Sequence, residues 1–174
     1  EISCSLVGSE MCIRDSDCIK SGEFSVKCMH PCDGYDYESA NDYSAVYLVE
    51  YGDFSMLMTG DAEKKAEKCI VEDVNRIAGD ADTSARLVSV NILKVGHHGS
   101  YTATGDDFLT KADPAYAVIS AGKDNSYGHP HAVTLAKLED DDVQIYRTDT
   151  MGTIEAVSDG NQIHMETEKG KTNE

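Results

Sequence analysis

Residues 87–100 read Leu-Val-Ser-Val-Asn-Ile-Leu-Lys-Val-Gly-His-His-Gly-Ser, an apolar run interrupted by Ser89 and Asn91 that stops on Gly96-His97-His98-Gly99. Such a run, closed by glycine, fits an inner strand of a sheet covered on both faces. Where a strand of this kind turns sharply, side chains are left facing a crevice, the usual place for an active site in an α/β protein. Adjacent imidazoles between two glycines are a poor structural choice, and glycine lets backbone approach an ion closely. Metal ligation or acid–base chemistry is therefore the reading of His97 and His98.

Upstream, Ser44–Tyr51 and Asp53–Thr59 are two β-rich runs joined across Tyr51-Gly52-Asp53, a hairpin signal. The second run ends on Thr59-Gly60-Asp61. Asp61 has two readings, a cap for the helix that follows or a ligand projecting from the sheet rim. That helix is predicted over Ala62–Ala78, where Ala62, Ala66, Cys69, Ile70, Val74 and Ile77 fall on one face and Gly79 closes the run. Phe24–Met29 alternates with period two and stops at His30-Pro31, so it reads as a strand, with His30 structural. Cys32–Ala40 is a polar loop, and Asn41–Ser44 reads as a loop-closing Asx or Ser turn.

Downstream, a loop over Asp80–Arg86 precedes the Leu87–Val95 strand, and a short helix is expected around Asp106–Ala112. A strand at Tyr116–Ser120 leads into a loop through Asn125-Ser126-Tyr127-Gly128-His129-Pro130-His131. A histidine before proline has a restricted backbone and presents a fixed imidazole, suited to phosphate contact or proton transfer. His131 reads as a surface residue at the start of a helix over Ala132–Leu138, and His164, alternating in a terminal strand, as structural. Strands at Val143–Arg147, Thr153–Val157 and Gln162–Glu166 complete an α/β layered pattern with mixed pairing, followed by a polar tail from Thr167.

Thirty-two Asp and Glu against fifteen Lys and Arg give a formal charge of −17, which repels phosphate backbones at long range and argues against a groove-filling DNA-binding module. An enzyme acting on nucleic acid remains allowed, because bound divalent cations reverse the sign locally. No apolar stretch approaches the roughly 18 residues of a membrane span. Six cysteines, at 4, 12, 18, 28, 32 and 69, match no paired C-x-x-C zinc pattern and read as scattered half-buried thiols, with a disulfide or metal site as the alternative. Glu1–Ser16 has neither helical nor strand period and resembles a translated, non-native read-through; the fold is expected in 17–166, with a disordered tail at 167–174.

Taken in order, Asn41–Ser44, Tyr51–Phe54, Leu57–Glu63, Ile92–Ser100, Tyr116–Ser120, Asn125–Pro130, Tyr146–Asp149 and Gly152–Ile154 closely resemble the metallo-β-lactamase-fold domain of ComEC-type competence (DNA-uptake) proteins. The resemblance runs from about Gly22 to Ile163. It implies an αββα sandwich holding two divalent metal ions, zinc or manganese, that hydrolyses phosphodiester bonds. Asp61 matches the bridging carboxylate and the His97-His98 pair the position of a late histidine ligand, with His98 favoured as ligand and His97 beside it or touching substrate. His129 matches a histidine near the site. With His97 it is the catalytic candidate, and Ser100, Asn125 and Ser126 are the candidates for substrate binding. The His-x-His-x-Asp-His segment that supplies most ligands of that fold does not occur in this chain. The expectation is thus the second half of the fold, inactive by itself, from a hydrolase whose partners are DNA or another phosphodiester and a membrane channel domain. A ComEC-like protein implies the extracytoplasmic face of a bacterial membrane; a freestanding hydrolase of the same subfamily would be secreted or cytoplasmic. A small ester, phosphorylcholine or lactone substrate, or a metal-free pseudo-hydrolase that binds a partner, are the competing readings.

Overall fold

Alternating apolar and polar side chains in the first third of the chain fold as an antiparallel meander. The computed structural model describes residues 18–32, 37–78 and 89–170. Strands β1 (Cys18–Ser21), β2 (Phe24–His30), β3 (Val46–Tyr51) and β4 (Phe54–Met58) pair in sequence order. β3 and β4 form the expected hairpin, Tyr51 opposite Phe54, with Gly52 at φ +57° in the turn. β1 is an addition to the sequence reading: all four of its residues are exposed, so an edge strand of this kind carries no hydrophobic period.

After β4 the pairing turns from antiparallel to parallel. Helix α1 (Lys64–Ala78) crosses over to β5 (Ile92–Lys94), α2 (Asp106–Ala112) leads to β6 (Tyr116–Ile119), and α3 (Ala132–Asp140) to β7 (Gln144–Arg147). Strands β4 to β7 are all parallel, so the sheet is seven-stranded and mixed. α4 (Thr148–Met151), a single turn that the sequence reading did not contain, precedes the separate hairpin of β8 (Ile154–Ser158) and β9 (Ile163–Thr167). Beyond β9, Glu168 accepts hydrogen bonds from the Thr153 amide and hydroxyl at 3.0 and 3.2 Å.

Period two sorts the parallel strands onto two covered faces. Leu57, Leu93, Ala117 and Ile119 point to one side, where they meet Ala66, Ile70 and Val74 of α1 and Phe108, Leu109 and Leu138 of α2 and α3. Ile92, Tyr116, Val118 and Tyr146 point to the other, against Met151, Ile154, Ile163 and Met165. Leu57, Ile70, Ile92 and Leu93 are fully buried, each worth about 1.5–3 kcal/mol of removal from water. The architecture is a mixed α/β layer structure, as expected. None of the helices in the described residues is long and apolar enough to cross a membrane.

Several expectations are corrected. The Leu87–Val95 run is a strand only over Ile92–Lys94, because Ser89 takes φ +56° and Asn91 is drawn sideways to receive the Ser55 amide at 2.7 Å. Helix α1 begins at Lys64 rather than Ala62, since the Ala62 amide closes a turn on the Thr59 carbonyl. The turn expected at Asn41–Ser44 is present as a single 3-10 turn over Ala40–Tyr43, but the capping hydroxyl comes from Ser39, outside the expected segment. Cys32 and Cys69 are not scattered thiols. They form a disulfide across 37 positions, with Cα atoms 6.6 Å apart, tying the end of β2 to α1. Gly79, Asp80–Arg86, Leu87 with Val88, and Glu1–Ser16 lie outside the described residues.

Candidate metal centre

Four parallel strands end at the same edge of the sheet, three continuing into loops there and the fourth into α4. Thr59-Gly60-Asp61 follows β4, Val95–Gly99 follows β5, Ser120–His131 follows β6, and Thr148 follows β7. Backbone and side-chain bonds lace these loops together. The Thr59 hydroxyl donates to the Lys94 carbonyl at 2.6 Å, and the His97 amide to the Gly60 carbonyl at 3.0 Å. Thr148 Oγ1 both receives the Ala121 amide and donates to the Ala121 carbonyl, each at 2.9 Å.

His97 and His98 sit in left-handed backbone, φ +44° and +56°, conformations costly for side chains with a Cβ. Gly99 continues the turn at φ +83°, and a Cβ on it would lie 2.5 Å from the Cβ of Pro130. Only glycine lets the His97-His98 turn pack on the His129-Pro130 loop. Three imidazoles then converge: ring centres lie 6.3 Å apart for His97 and His98, 5.5 Å for His97 and His129, and 6.4 Å for His98 and His129. His131 joins them at 4.8 Å from His129.

Hydrogen bonds assign the free nitrogens. His98 Nδ1 donates to the Ser120 carbonyl at 2.7 Å, so in the neutral ring Nε2 carries a lone pair. That nitrogen lies 3.4 Å from Asp61 Oδ1, with both side chains about half exposed. Two electron-pair donors face each other at the separation of two ligands each about 2.0–2.1 Å from one tetrahedral ion, which is about 3.4 Å. A backbone carbonyl behind a ligating imidazole is the arrangement that fixes ring and tautomer at metal sites. Asp61 is free for this because it does not cap α1. The buried Asp42 carboxylate receives the Ala66 amide at 3.4 Å, and the Thr102 carbonyl receives the Lys64 amide at 3.1 Å.

His97 is held differently. Its Nδ1 donates to Glu63 Oε1 at 3.1 Å, and the same oxygen receives the Thr102 hydroxyl at 3.0 Å and the Asn41 side-chain amide at 3.3 Å. The carboxylate orients the ring so that Nε2 is the nitrogen left for other contacts. His129 is fixed through Asn125, whose Oδ1 receives the His129 amide at 3.0 Å and whose Nδ2 donates to the His129 and Gly122 carbonyls at 2.6 and 2.9 Å. Partial burial, then the neighbouring His131, His97 and His98, hold its pKa below the usual histidine value against the attraction of Asp61. Lys94, beneath the rim, is likewise pushed down by burial, opposed by Asp61.

The remaining candidates divide. Ser100 is buried, its hydroxyl shared with Thr102 Oγ1 at 2.9 Å. Asn125 commits its amide to the loop, and Ser126 is exposed beside it. His98, Ala121, Gly122, Asn125, Tyr127 and His129 line a cleft of about 200 Å³. Sequence reasoning assigned no role to Glu63, although an imidazole pinned by its Nδ1 requires an acceptor and Glu63 stands two residues from Asp61. It also placed His131 on the surface, whereas His131 Nδ1 receives the Tyr101 amide at 3.1 Å within the imidazole cluster.

Asp61 and His98 fit one ion as a pair. Among the described residues, the grouping of three donor atoms within one ion's reach is Cys32, Cys69 and Asp73, two of which are spent on the disulfide. No family model matches the chain. Residues of the chain are 39% identical over 120 positions to ComE operon protein 3 of Bacillus subtilis (strain 168), covering 69% of this chain and 14% of that protein. Identity to Recombination protein 2 of Haemophilus influenzae is 36% over 98 positions, 56% of this chain and 11% of the other. Competence protein ComA of Neisseria gonorrhoeae is 30% identical over 133 positions, 71% of this chain and 18% of that protein. The chain thus spans less than a fifth of the length of each of these relatives.

Proposed function

We propose that this chain is part of a metal-dependent phosphodiesterase acting on DNA during its uptake, with the αββα metallo-β-lactamase fold. The observation that carries the reading is the meeting of Asp61 and the Nδ1-anchored His98 at the C-terminal edge of the parallel strands, ringed by His97 and His129. Similarity to a protein named for competence supports the DNA-uptake context. Asp61 and His98 would hold divalent metal, zinc or manganese, together with donors from the rest of the protein. Bound metal would supply charge for the phosphate and activation of water.

The chain's own residues divide the remaining work. His129, whose pKa burial and its imidazole neighbours lower, faces the cleft and is placed to exchange a proton with a bound group. Glu63 holds His97 facing the same space. The disulfide fits an oxidising compartment, in line with an extracytoplasmic placement. A smaller phosphodiester or ester is the second reading, favoured by the −17 charge and the 200 Å³ cleft.

In the whole protein, Asp61→Asn should lower manganese-dependent hydrolysis of a single-stranded oligonucleotide by at least about 10³-fold, with the thermal midpoint unchanged. Hydrolysis at the original rate would remove Asp61 from the reaction and with it this reading.

A further inference from the structure

Two tyrosines stand at the rim of the imidazole cluster, on opposite sides of it. Tyr127 is 77% exposed and Tyr101 59%, large exposures for aromatic rings that line or adjoin a cleft. Neither is loose. Tyr127 lies nearly parallel to His129, at 23° with ring centres 5.8 Å apart, on the loop that Asn125 clamps from both ends. Tyr101 meets His131 edge to face at 5.0 Å, and its amide donates to His131 Nδ1. The order Tyr127, His129, His131, Tyr101 is a continuous row of rings, exposed at its two ends.

The charge around this row matters as much as its shape. No Lys or Arg lines the cleft that Tyr127 shares with His98 and His129. The chain carries more than twice as many acidic as basic side chains, so its overall charge does not attract a phosphate backbone to this cleft. What the rim offers instead is π-surface, which binds bases of any sequence but only when their faces are free. A base paired within a duplex has its faces stacked on its neighbours.

We propose that Tyr127, with Tyr101 as a second platform, stacks an unpaired nucleobase next to the Asp61–His98 centre, so that the site accepts single-stranded rather than duplex nucleic acid. The proposal deepens the phosphodiesterase reading and rests on it. Tyr127 is the stronger platform because it lines the cleft itself and its inner face is already backed by His129. Asn125 already clamps the loop that carries the ring, so little backbone freedom is lost on binding.

The test uses the whole protein in EDTA, where turnover cannot occur, and fluorescence anisotropy of a labelled twelve-residue oligothymidylate, its abasic counterpart and a duplex of the same length. The oligothymidylate should bind about tenfold more tightly than the abasic strand. Tyr127→Ala should bring the two within twofold, Tyr127→Phe should retain the preference, and Tyr101→Ala should weaken it less. An unchanged preference in Tyr127→Ala, equal binding of duplex, or no preference in the unsubstituted protein would overturn the proposal. Hydrolysis of bis(p-nitrophenyl) phosphate with manganese is measured alongside. Absence of that activity with base-dependent binding intact sinks the phosphodiesterase reading and leaves the stacking platform standing.

Discussion

Two histidines in this protein precede proline at the end of a strand or in the loop after one, and they have opposite fates. His30, at the end of β2, is fully buried: its Nδ1 donates to the Ser44 carbonyl at 2.9 Å and its Nε2 receives the Tyr37 hydroxyl at 2.8 Å. His129, beyond β6, keeps its backbone clamped by Asn125 while its ring faces the cleft and three other imidazoles. Burial lowers the pKa of both rings. The difference lies in what the ring nitrogens meet. A histidine with both nitrogens spent on protein groups is a cross-link, and one with nitrogens open to a cleft is available for chemistry. The same dipeptide therefore carries no functional message until its surroundings are known.

The corners in which the two residues sit differ as well. The His30 corner is closed by the Cys32–Cys69 disulfide, and breaking it is the largest change expected here. A cross-link closing a loop of this length contributes about 4 kcal/mol in the chain-entropy description. Cys32→Ala combined with Cys69→Ala, or treatment with a thiol reductant, should lower the urea midpoint accordingly. An unchanged midpoint on reduction would mean that these cysteines do not cross-link the folded chain.

His30→Ala comes next. It strands the Ser44 carbonyl in a buried site, at about 1–3 kcal/mol, and removes the bond that the Tyr37 hydroxyl makes to Nε2, so roughly 3 kcal/mol of stability should be lost. Hydrolysis per folded molecule should hold. His129→Ala should do the reverse, lowering hydrolysis about 10²-fold, or about 2.7 kcal/mol, while urea unfolding stays within about 0.5 kcal/mol. If both variants lose stability alike, the contrast between closed and open histidine fails.

Glu67 sharpens the picture from the side of α1. Its two carboxylate oxygens receive the Thr104 and Gly105 amides at 2.6 and 2.8 Å, tying α1 to the segment that leads from the rim into α2. Burial outweighs those amides and the nearby Lys64 and Lys137, and pushes its pKa up to about 7. Between pH 4.5 and 7 the folded chain keeps a proton that the unfolded chain has released. Stability from this group is therefore greatest below pH 4.5 and is lost as pH rises through 7. Urea titrations should show a decline of about 2 kcal/mol between pH 5 and 7.5, flattened in Glu67→Gln. A rise with pH would mean that the two amides win over burial.

Much of the fold was legible because period-two and period-3.6 patterns survive wherever an element has one covered face. The β3–β4 hairpin, α1, α2 and the strands at 116–119 and 144–147 are of that kind. β1 and α4 were not, since a fully exposed edge strand and a single turn have no face to pattern. The shortening of β5 was hidden for another reason: Asn91 bonds to Ser55, a partner 36 positions away. In the site, His97, His98, His129 and Asp61 stood out because glycine and proline flank chemistry-bearing side chains. Glu63, Asn41 and Thr102 did not, because nothing local reveals which residue an imidazole will lean on.

By itself the sequence determined the layered α/β order, the acidic surface and the residue types available at the strand ends, since composition and periodicity are local properties of the chain. Tertiary structure alone decided that Asp61 is released from capping by Asp42, and that Cys32 finds Cys69. It also decided that the His98 Nε2 lone pair faces a carboxylate while both nitrogens of His30 are consumed. Each of these depends on which distant groups the parallel strands bring to one edge, and a hydrogen bond or disulfide is set by distance in space, which spacing along the chain does not encode.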